Sequence, residues 1–204
     1  MTNIKTLITA FALGLIFTTG TAVHAHHQTN SMTTQEKIAD HILRLHILAN
    51  SDGPQDQAIK MLVKEEVLAI VAEVTRKTTD ITQVHQVVTR HLEDITAAAN
   101  HVLVQQGQAP SANAHLAQVY FPEITYGDMT LPSGYYHALQ VSIGLGIGAN
   151  WWCVMFPMLC FLDEATGEPT PYMRALLRNV LDEEEYEKVF NIRFRTAEWL
   201  RLGN

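Results

Sequence analysis

The residues of this chain with the most distinctive chemistry are two cysteines and ten histidines. Both cysteines, Cys153 and Cys160, lie in the segment GANWWCVMFPMLCF, residues 148–161. A catalytic cysteine needs a histidine base within hydrogen-bond reach and surroundings that lower the thiol pKa. No local pattern pairs either cysteine with a histidine, so the sequence does not indicate a thiol nucleophile.

The histidines near the N-terminus raise the question of a metal site. A chain processed to begin at His26 would present an amine and an imidazole together, a pair that copper sites use. No residue at a fixed spacing completes a site around His26 and His27, and the two cysteines lack a second pair of zinc ligands. We therefore expect no metal and no cofactor, with an exported copper-binding protein as an alternative.

A disulfide is the chemistry that the cysteines favour. In one continuous strand Cys153 and Cys160 would lie about 23 Å apart, far outside bonding range. Pro157 interrupts such a strand, and a turn at Phe156 and Pro157 would bring the sulfurs together. The small ring would contribute only about 2.5 kcal/mol of stability.

The glycines of GLGIGAN, residues 144–150, match a phosphate-binding loop only in composition. A dinucleotide fingerprint requires a helix that begins at the phosphate. Here the glycines precede a strand-like apolar run, residues 151–156. The pattern favours a flexible or bulged hairpin connection.

The N-terminus predicts the compartment in which these groups work. Lys5 precedes an apolar run, residues 7–23, and the tripeptide VHA that follows suits a signal peptidase. At about 17 residues the run is short for a bilayer span, so a retained anchor is the alternative. We predict a cleaved signal over residues 1–25 and a flexible polar arm over residues 26–33. Export would also favour the disulfide.

Length and net charge restrict the classes of fold and partner that the chain can have. The chain has 204 residues, of which 47% are hydrophobic, so residues 34–204 are expected to form one domain. Its 14 basic and 21 acidic residues give a formal net charge of −7. Such a charge is unfavourable for binding nucleic acid or an anionic membrane surface.

Hydrophobic periodicity indicates the first elements. ILRLHILA, residues 42–49, predicts a buried strand that ends at NSDGP, after one or two helical turns. A helix follows, with Pro54 at its first position and Gly53 or Asp52 as cap. Its apolar residues are spaced three and four apart, and Lys60 is placed on the opposite, outward face.

A second long helix is predicted to begin at DITQ, with Asp80 as cap and Gln83 returning the bond, and to end at Gly107. The period then changes to the alternation typical of strands around residues 138–143, and residues 151–156 form another dense apolar run that is also read as a strand. YGDMTLPSG has the composition of a turn, and DEEEYEKVFN indicates a short acidic helix. The fold class is therefore α+β: a single domain with two long amphipathic helices on one face of a mainly antiparallel sheet.

Two groups of residues are candidates for a site. The first lies where the early strand gives way to the helix, and its predicted role is to cap free helical N–H groups; it comprises Asn50, Ser51, Asp52 and Asp56. The second is a candidate for partner binding, with core packing as the alternative; it comprises Asn150, Trp151, Trp152 and Phe156. The adjacent tryptophans would face opposite sides of a strand.

Two stretches carry a family resemblance. Residues 44–67, with the motifs ANSD and DQA.K, and residues 120–161, with YGD.TLP.G and G.NWWCV.FP.LCF, resemble stage II sporulation protein R of endospore-forming bacteria. The chain departs from the family at Gly53, where serine is frequent. It also departs at Leu145 and Ile147, near which family members commonly have a polar or charged residue.

The resemblance implies a signalling protein rather than an enzyme. Members of the family are made in the forespore and exported into the space between the forespore and mother-cell membranes. There they activate a membrane-embedded aspartyl protease, which cleaves the pro-sequence of a mother-cell sigma factor. The resemblance implies no cofactor, nucleic acid or small-molecule substrate. The alternative from another class is an exported cell-wall hydrolase that uses Cys153 or a carboxylate pair.

Overall fold

The computed structural model of the chain describes residues 32–157 and 169–190. The described elements all lie in one compact unit that begins at Thr34. In chain order they are α1 (Thr34–Ala39), β1 (Leu43–Leu48), α2 (Pro54–Thr75), α3 (Ile81–Arg90), α4 (Leu92–Gln105), β2 (Ala112–Phe121), β3 (Ile124–Tyr126), β4 (Met129–Leu131), β5 (Gly134–Ile143), β6 (Asn150–Phe156), α5 (Pro171–Val180) and α6 (Glu183–Phe190). The signal predicted for residues 1–25 lies outside the described residues and stays a prediction.

Four of the strands form one sheet in the order β2-β5-β1-β6, and β3 pairs with β4 separately. β1 is parallel to β5 and antiparallel to β6, while β2 is antiparallel to β5. Parallel neighbours need a long crossover connection, and three helices, α2 to α4, lie in the chain between β1 and β5. The sheet is thus mainly antiparallel with one parallel pair, and the predicted α+β class is confirmed.

The first face of the sheet packs in an aliphatic cluster with α2, α3 and α4. From β1 it receives Leu43, Leu45 and Ile47, all 0% exposed. The predicted strand over residues 42–49 is confirmed, and so is the amphipathic helix that begins at Pro54.

The second face of the sheet is also covered, whereas the sequence indicated cover on one face only. Its cover consists of α1, the β3–β4 hairpin, α5 and α6, which contribute the large buried side chains Ile38, Tyr126, Met129, Met173 and Phe190. A strand covered on both faces needs no polar alternation, which is why β1 is buried along almost its whole length.

Arg44 and His46 of β1 are buried toward this second face. The Arg44 guanidinium carbon lies 3.8 Å from the centroid of the Phe121 ring and 4.9 Å from that of Tyr136. Arg44 Nη2 donates to the Tyr126 hydroxyl at 2.9 Å, while Nε and Nη1 have no hydrogen-bond partner among the described residues. Burial lowers the pKa of Arg44, and the two tyrosines offset part of that effect.

The predicted second helix is two helices. Asp80 caps α3, since its carboxylate accepts from Gln83 N at 2.9 Å. The side-chain oxygen of Gln83 accepts from Thr79 N rather than from Asp80 N. His91 leaves helical geometry, with φ −106° and ψ 14°, and becomes the N-cap residue of α4. Its ring pairs with Asp94 in the first turn of α4 at 2.8 Å. The apolar stripe nevertheless continues through the break, because both helices pack on the same sheet face.

The remaining predictions of secondary structure are largely confirmed. α6 is the acidic helix that DEEEYEKVFN indicated. The segment expected to be a turn, residues 126–134, contains a turn at Gly127 but also the whole of β4. Within the described residues, no helix has the length and apolar character needed to cross a membrane.

Candidate interaction surface

The glycine loop, residues 144–149, connects β5 to β6. The predicted hairpin at this loop is wrong, because β1 lies between β5 and β6 and pairs with both. The loop therefore crosses the end of β1 and meets the segment that follows β1, residues 49–52. We call these two segments together the sheet-end surface.

Three hydrogen bonds from residues 49–52 fasten the loop. The Asn50 side-chain oxygen accepts from Leu145 N at 3.0 Å, and the Asp52 carboxylate accepts from Ala149 N at 2.6 Å. The backbone oxygen of Ala49 accepts from Gly148 N at 3.0 Å. The polar side chains after β1 thus satisfy backbone groups of a loop that is distant in sequence.

Two glycines allow this close approach. Gly144 has φ +57°, in the left-handed region that favours glycine, and a Cβ there would collide with the Asn50 side chain. A Cβ on Gly148 would collide with the backbone of Ser51. These glycines therefore serve contact between two backbone segments rather than a phosphate.

The polar side chains after β1 have other partners than the free helical N–H groups that they were predicted to cap. Gly53, one of the two residues predicted for the cap position, is the N-cap of α2, and no side-chain hydrogen bond caps the helix. Instead, Asn50 Nδ2 and Ser51 Oγ both donate to the Asp56 carboxylate, at 2.8 and 2.5 Å. Both bonds lower the pKa of Asp56, and the bond from Ser51 has the larger effect. Because Asp56 takes the amide nitrogen of Asn50, the oxygen of that amide faces the loop.

Lys60 completes the network, although the sequence placed it on the outward face of α2. It is only 5% exposed, and its ammonium group donates to the Ala149 oxygen at 2.9 Å and to Gln57 at 2.7 Å. Gln57 in turn donates to the Ser51 oxygen at 2.8 Å. Burial lowers the pKa of Lys60. The motif DQA.K was the available signal, since Asp56, Gln57 and Lys60 are its three polar residues.

Above this network the loop presents two apolar side chains to solvent. Leu145 is 76% exposed and Ile147 72% exposed. The nearest carboxylate on the segment opposite, Asp52, is exposed, whereas the cation Lys60 is buried. The sheet-end surface is therefore apolar at its tip and negative beside it.

β6 carries the four candidate partner-binding residues and is an edge strand of the sheet that the described residues form. The Asn150 side-chain oxygen lies 2.8 Å from His46 Nε2, and the Trp152 ring stacks on His46 with centroids 4.0 Å apart. Trp151 faces the opposite side, where Lys64 Nζ lies 5.3 Å from its ring centroid. The predicted opposite orientation of the tryptophans is confirmed. Asn150 is exposed and Trp151, Trp152 and Phe156 are half-buried; their role in partner binding stays a prediction.

Cys153 is 2% exposed and lies in the aliphatic cluster. A substrate has no access to it there, so its position does not favour a hydrolase. Cys160 lies outside the described residues, and the disulfide stays a prediction. Within residues 32–157 and 169–190, no three His, Cys, Asp or Glu side chains come together as metal ligands. His26 and His27 lie outside this part of the chain.

The fold and this surface define a single-domain α+β protein whose glycine loop is held by hydrogen bonds at both ends. The chain belongs to the stage II sporulation protein R family, whose model matches residues 39–166. A curated relative, stage II sporulation protein R of Bacillus subtilis (strain 168), is 39% identical over 131 residues. The match covers 64% of this chain and 58% of the relative, so the chain spans less than two thirds of that protein's length. No solved structure matches the chain.

Proposed function

We propose that this protein is an exported signal of endospore formation that activates a membrane-embedded aspartyl protease by direct contact. The protease would then process the pro-form of the mother-cell sigma factor, and the contact would occur in the space between forespore and mother cell. Family membership supports this role. The matched region, residues 39–166, also contains the whole sheet-end surface. The relative shares the family's printed name, stage II sporulation protein R.

The observation that carries the proposal is the convergence of distant motifs. ANSD and DQA.K lie close together in the chain, and the loop residues to which they bond lie 89 to 97 positions further on, yet the three segments form one hydrogen-bonded unit. Most of the polar groups in this unit are occupied with each other, so their role is to hold a shape. A fixed shape suits recognition of another macromolecule, because little conformational entropy is lost on binding.

Activation by contact requires a difference in affinity between two states of the protease. The signal shifts the protease toward its active assembly only if it binds that assembly more tightly than the idle one. We assign the contact to the sheet-end surface and to the adjoining β6 residues Asn150, Trp151, Trp152 and Phe156. Asn150 and Trp151 directly follow the glycine loop in the chain, and Phe156 lies at the far end of the same strand.

Co-expression in a non-sporulating host tests the function. The host would contain the protease, the pro-sigma factor and either the full chain or a chain without residues 1–25. We expect cleavage of the pro-sigma factor, seen by immunoblot, only with the full chain and only with a protease that keeps its catalytic aspartates. Cleavage without the chain, or none in its presence, would contradict the proposal.

We also propose that Cys153 and Cys160 form a disulfide in the exported protein. Thiol titration of the denatured, non-reduced protein should find no free thiol, and two free thiols would refute the bond. Alanine at Cys153 and alanine at Cys160 should each lower the free energy of unfolding, because either change removes the same ring.

A further inference from the structure

We infer that Leu145 and Ile147 are the anchors of the sheet-end surface, and that they insert into an apolar cleft of the partner protease whose rim is basic. The inference rests on the proposed function and adds to it the contact residues and the chemistry of the opposing site. Among the described residues, these two are the most exposed large hydrophobic side chains.

The stability of the loop does not require these two side chains. The hydrogen bonds that fasten the loop use backbone groups of Leu145, Gly148 and Ala149, and the close contacts with residues 49–52 are made at Gly144 and Gly148. Polar residues at positions 145 and 147 would keep all of these interactions. Single exposed apolar residues are common; here two of them, Leu145 and Ile147, lie on one short loop that is held at both ends.

The loop presents the two side chains in a fixed arrangement. Asn50, Asp52 and Lys60 hold it at both ends, and Asp56 orients Asn50. A partner that takes up Leu145 and Ile147 therefore does not have to order the loop first. At protein interfaces a few side chains that fill pockets of the partner account for much of the affinity.

Charge favours a protein cleft over a lipid surface as the occupant. Asp52 is exposed beside the loop while Lys60, the nearby cation, is buried and bonded. The chain as a whole carries a formal charge of −7. Anionic lipid head groups would repel such a surface, whereas basic side chains around an apolar cleft would complement it.

The test compares a double variant, Leu145→Ser with Ile147→Ser, with the native chain in the co-expression assay. Purified proteins would also be mixed with vesicles that contain the reconstituted protease, and binding measured by flotation. We expect the variant to bind protease vesicles roughly tenfold or more weakly and to give correspondingly less cleavage. Thermal unfolding should be unchanged, since the replaced side chains are exposed.

Two control variants make the result specific. Leu145→Met with Ile147→Val keeps the apolar character and should retain native binding. Tyr135→Ser changes another exposed side chain, 63% exposed, at the opposite end of β5, and should leave binding unchanged. If the double variant is poorly folded, each single serine variant serves in its place with the same expected direction.

The outcomes separate the inference from the function on which it rests. A native chain that fails to elicit cleavage contradicts the proposed function. A native chain that works, together with a folded serine variant that works equally well, overturns the inference alone. Binding of the native chain, but not of the variant, to protease-free vesicles of phosphatidylglycerol and phosphatidylethanolamine would assign the anchors to lipid and also overturn it.

Discussion

The two faces of the central sheet are buried against different kinds of side chain. Toward α2, α3 and α4 the strand β1 directs leucine and isoleucine, and the surrounding cluster is almost entirely aliphatic. Toward α1 and the β3–β4 hairpin the same strand directs Arg44 and His46, which contact Phe121, Tyr136 and Trp152. Both faces exclude water, yet β1 directs a cation and an imidazole only into the second, where both lose hydration on burial.

The difference concerns what each face contributes to stability. Burial of aliphatic side chains stabilises the fold in proportion to the area removed from water. A buried guanidinium loses its hydration and regains only part of that energy from rings and one hydroxyl. The first face should therefore provide most of the stability, and the second face should depend on specific contacts.

The largest expected effect is on the aliphatic face. Leu45→Ala removes a side chain of the central strand β1 that is fully buried in the aliphatic cluster. It should lower the free energy of unfolding by about 2 to 5 kcal/mol. Urea denaturation followed by circular dichroism measures the change. Leu45→Met, which conserves volume, should cost less than about 1.5 kcal/mol. Equal losses for the two variants would show that packing volume does not determine stability on this face.

A change of opposite sign is expected on the second face. Arg44→Met replaces a desolvated cation, two of whose nitrogens lack partners among the described residues, by an apolar side chain of similar length. The free energy of unfolding should rise by about 1 to 2 kcal/mol, because the cost of burying the charge exceeds the ring contacts that are lost.

The same urea experiment with Arg44→Ala serves as a control for Arg44→Met. Alanine leaves a cavity beside Phe121 and should destabilise the protein. A loss of stability in Arg44→Met as large as that in Leu45→Ala would mean that the cation–ring contacts outweigh desolvation, and the two faces would then contribute alike.

The smallest expected effect is a pH dependence from His46. Burial lowers its pKa below the ordinary value of 6.5, and the bond to Asn150 offsets only part of that shift. The unfolded state therefore binds a proton first as the pH falls, and the stability contributed by neutral His46 is complete above pH 6.5 and is lost below it. The native chain should melt at a lower temperature at pH 5 than at pH 7.5.

A His46→Gln variant isolates this contribution. The difference in melting temperature between the two pH values should shrink but not vanish, because burial and His137 also lower the pKa of His85. An unchanged difference would show that His46 titrates alike in the folded and unfolded states.

Features that follow from local pattern could be predicted from the sequence. β1, the apolar stripe of α2 and the Asp80 cap each depend on residues within a few positions of one another. The break at His91 could not be predicted, because the apolar period continues across it. Arg44 and His46 lay in a run correctly predicted to be buried, but the rings that surround them come from strands much later in the chain.

The site was less predictable because its partners are distant in sequence. Lys60 is of a residue type that usually faces solvent on a helix, and its burial depends on the distant carbonyl of Ala149 as well as on Gln57. Asn50 and Asp52 are of residue types that are common at helix caps. Only the position of the glycine loop shows that they bind backbone amides of the loop instead. That position depends in turn on β1 lying between β5 and β6, which no local pattern encodes.

The central position of β1 also has a consequence for how the chain is made. Of the described strands β1 is the first to leave the ribosome, yet Leu45 pairs with Leu139 on one side and Cys153 on the other. An almost wholly buried strand must therefore wait, unpaired, for the second half of the chain. Contacts of such high sequence separation slow folding and expose apolar strands to aggregation in the meantime. The strand that is synthesised first is thus among the last to be completed in the sheet.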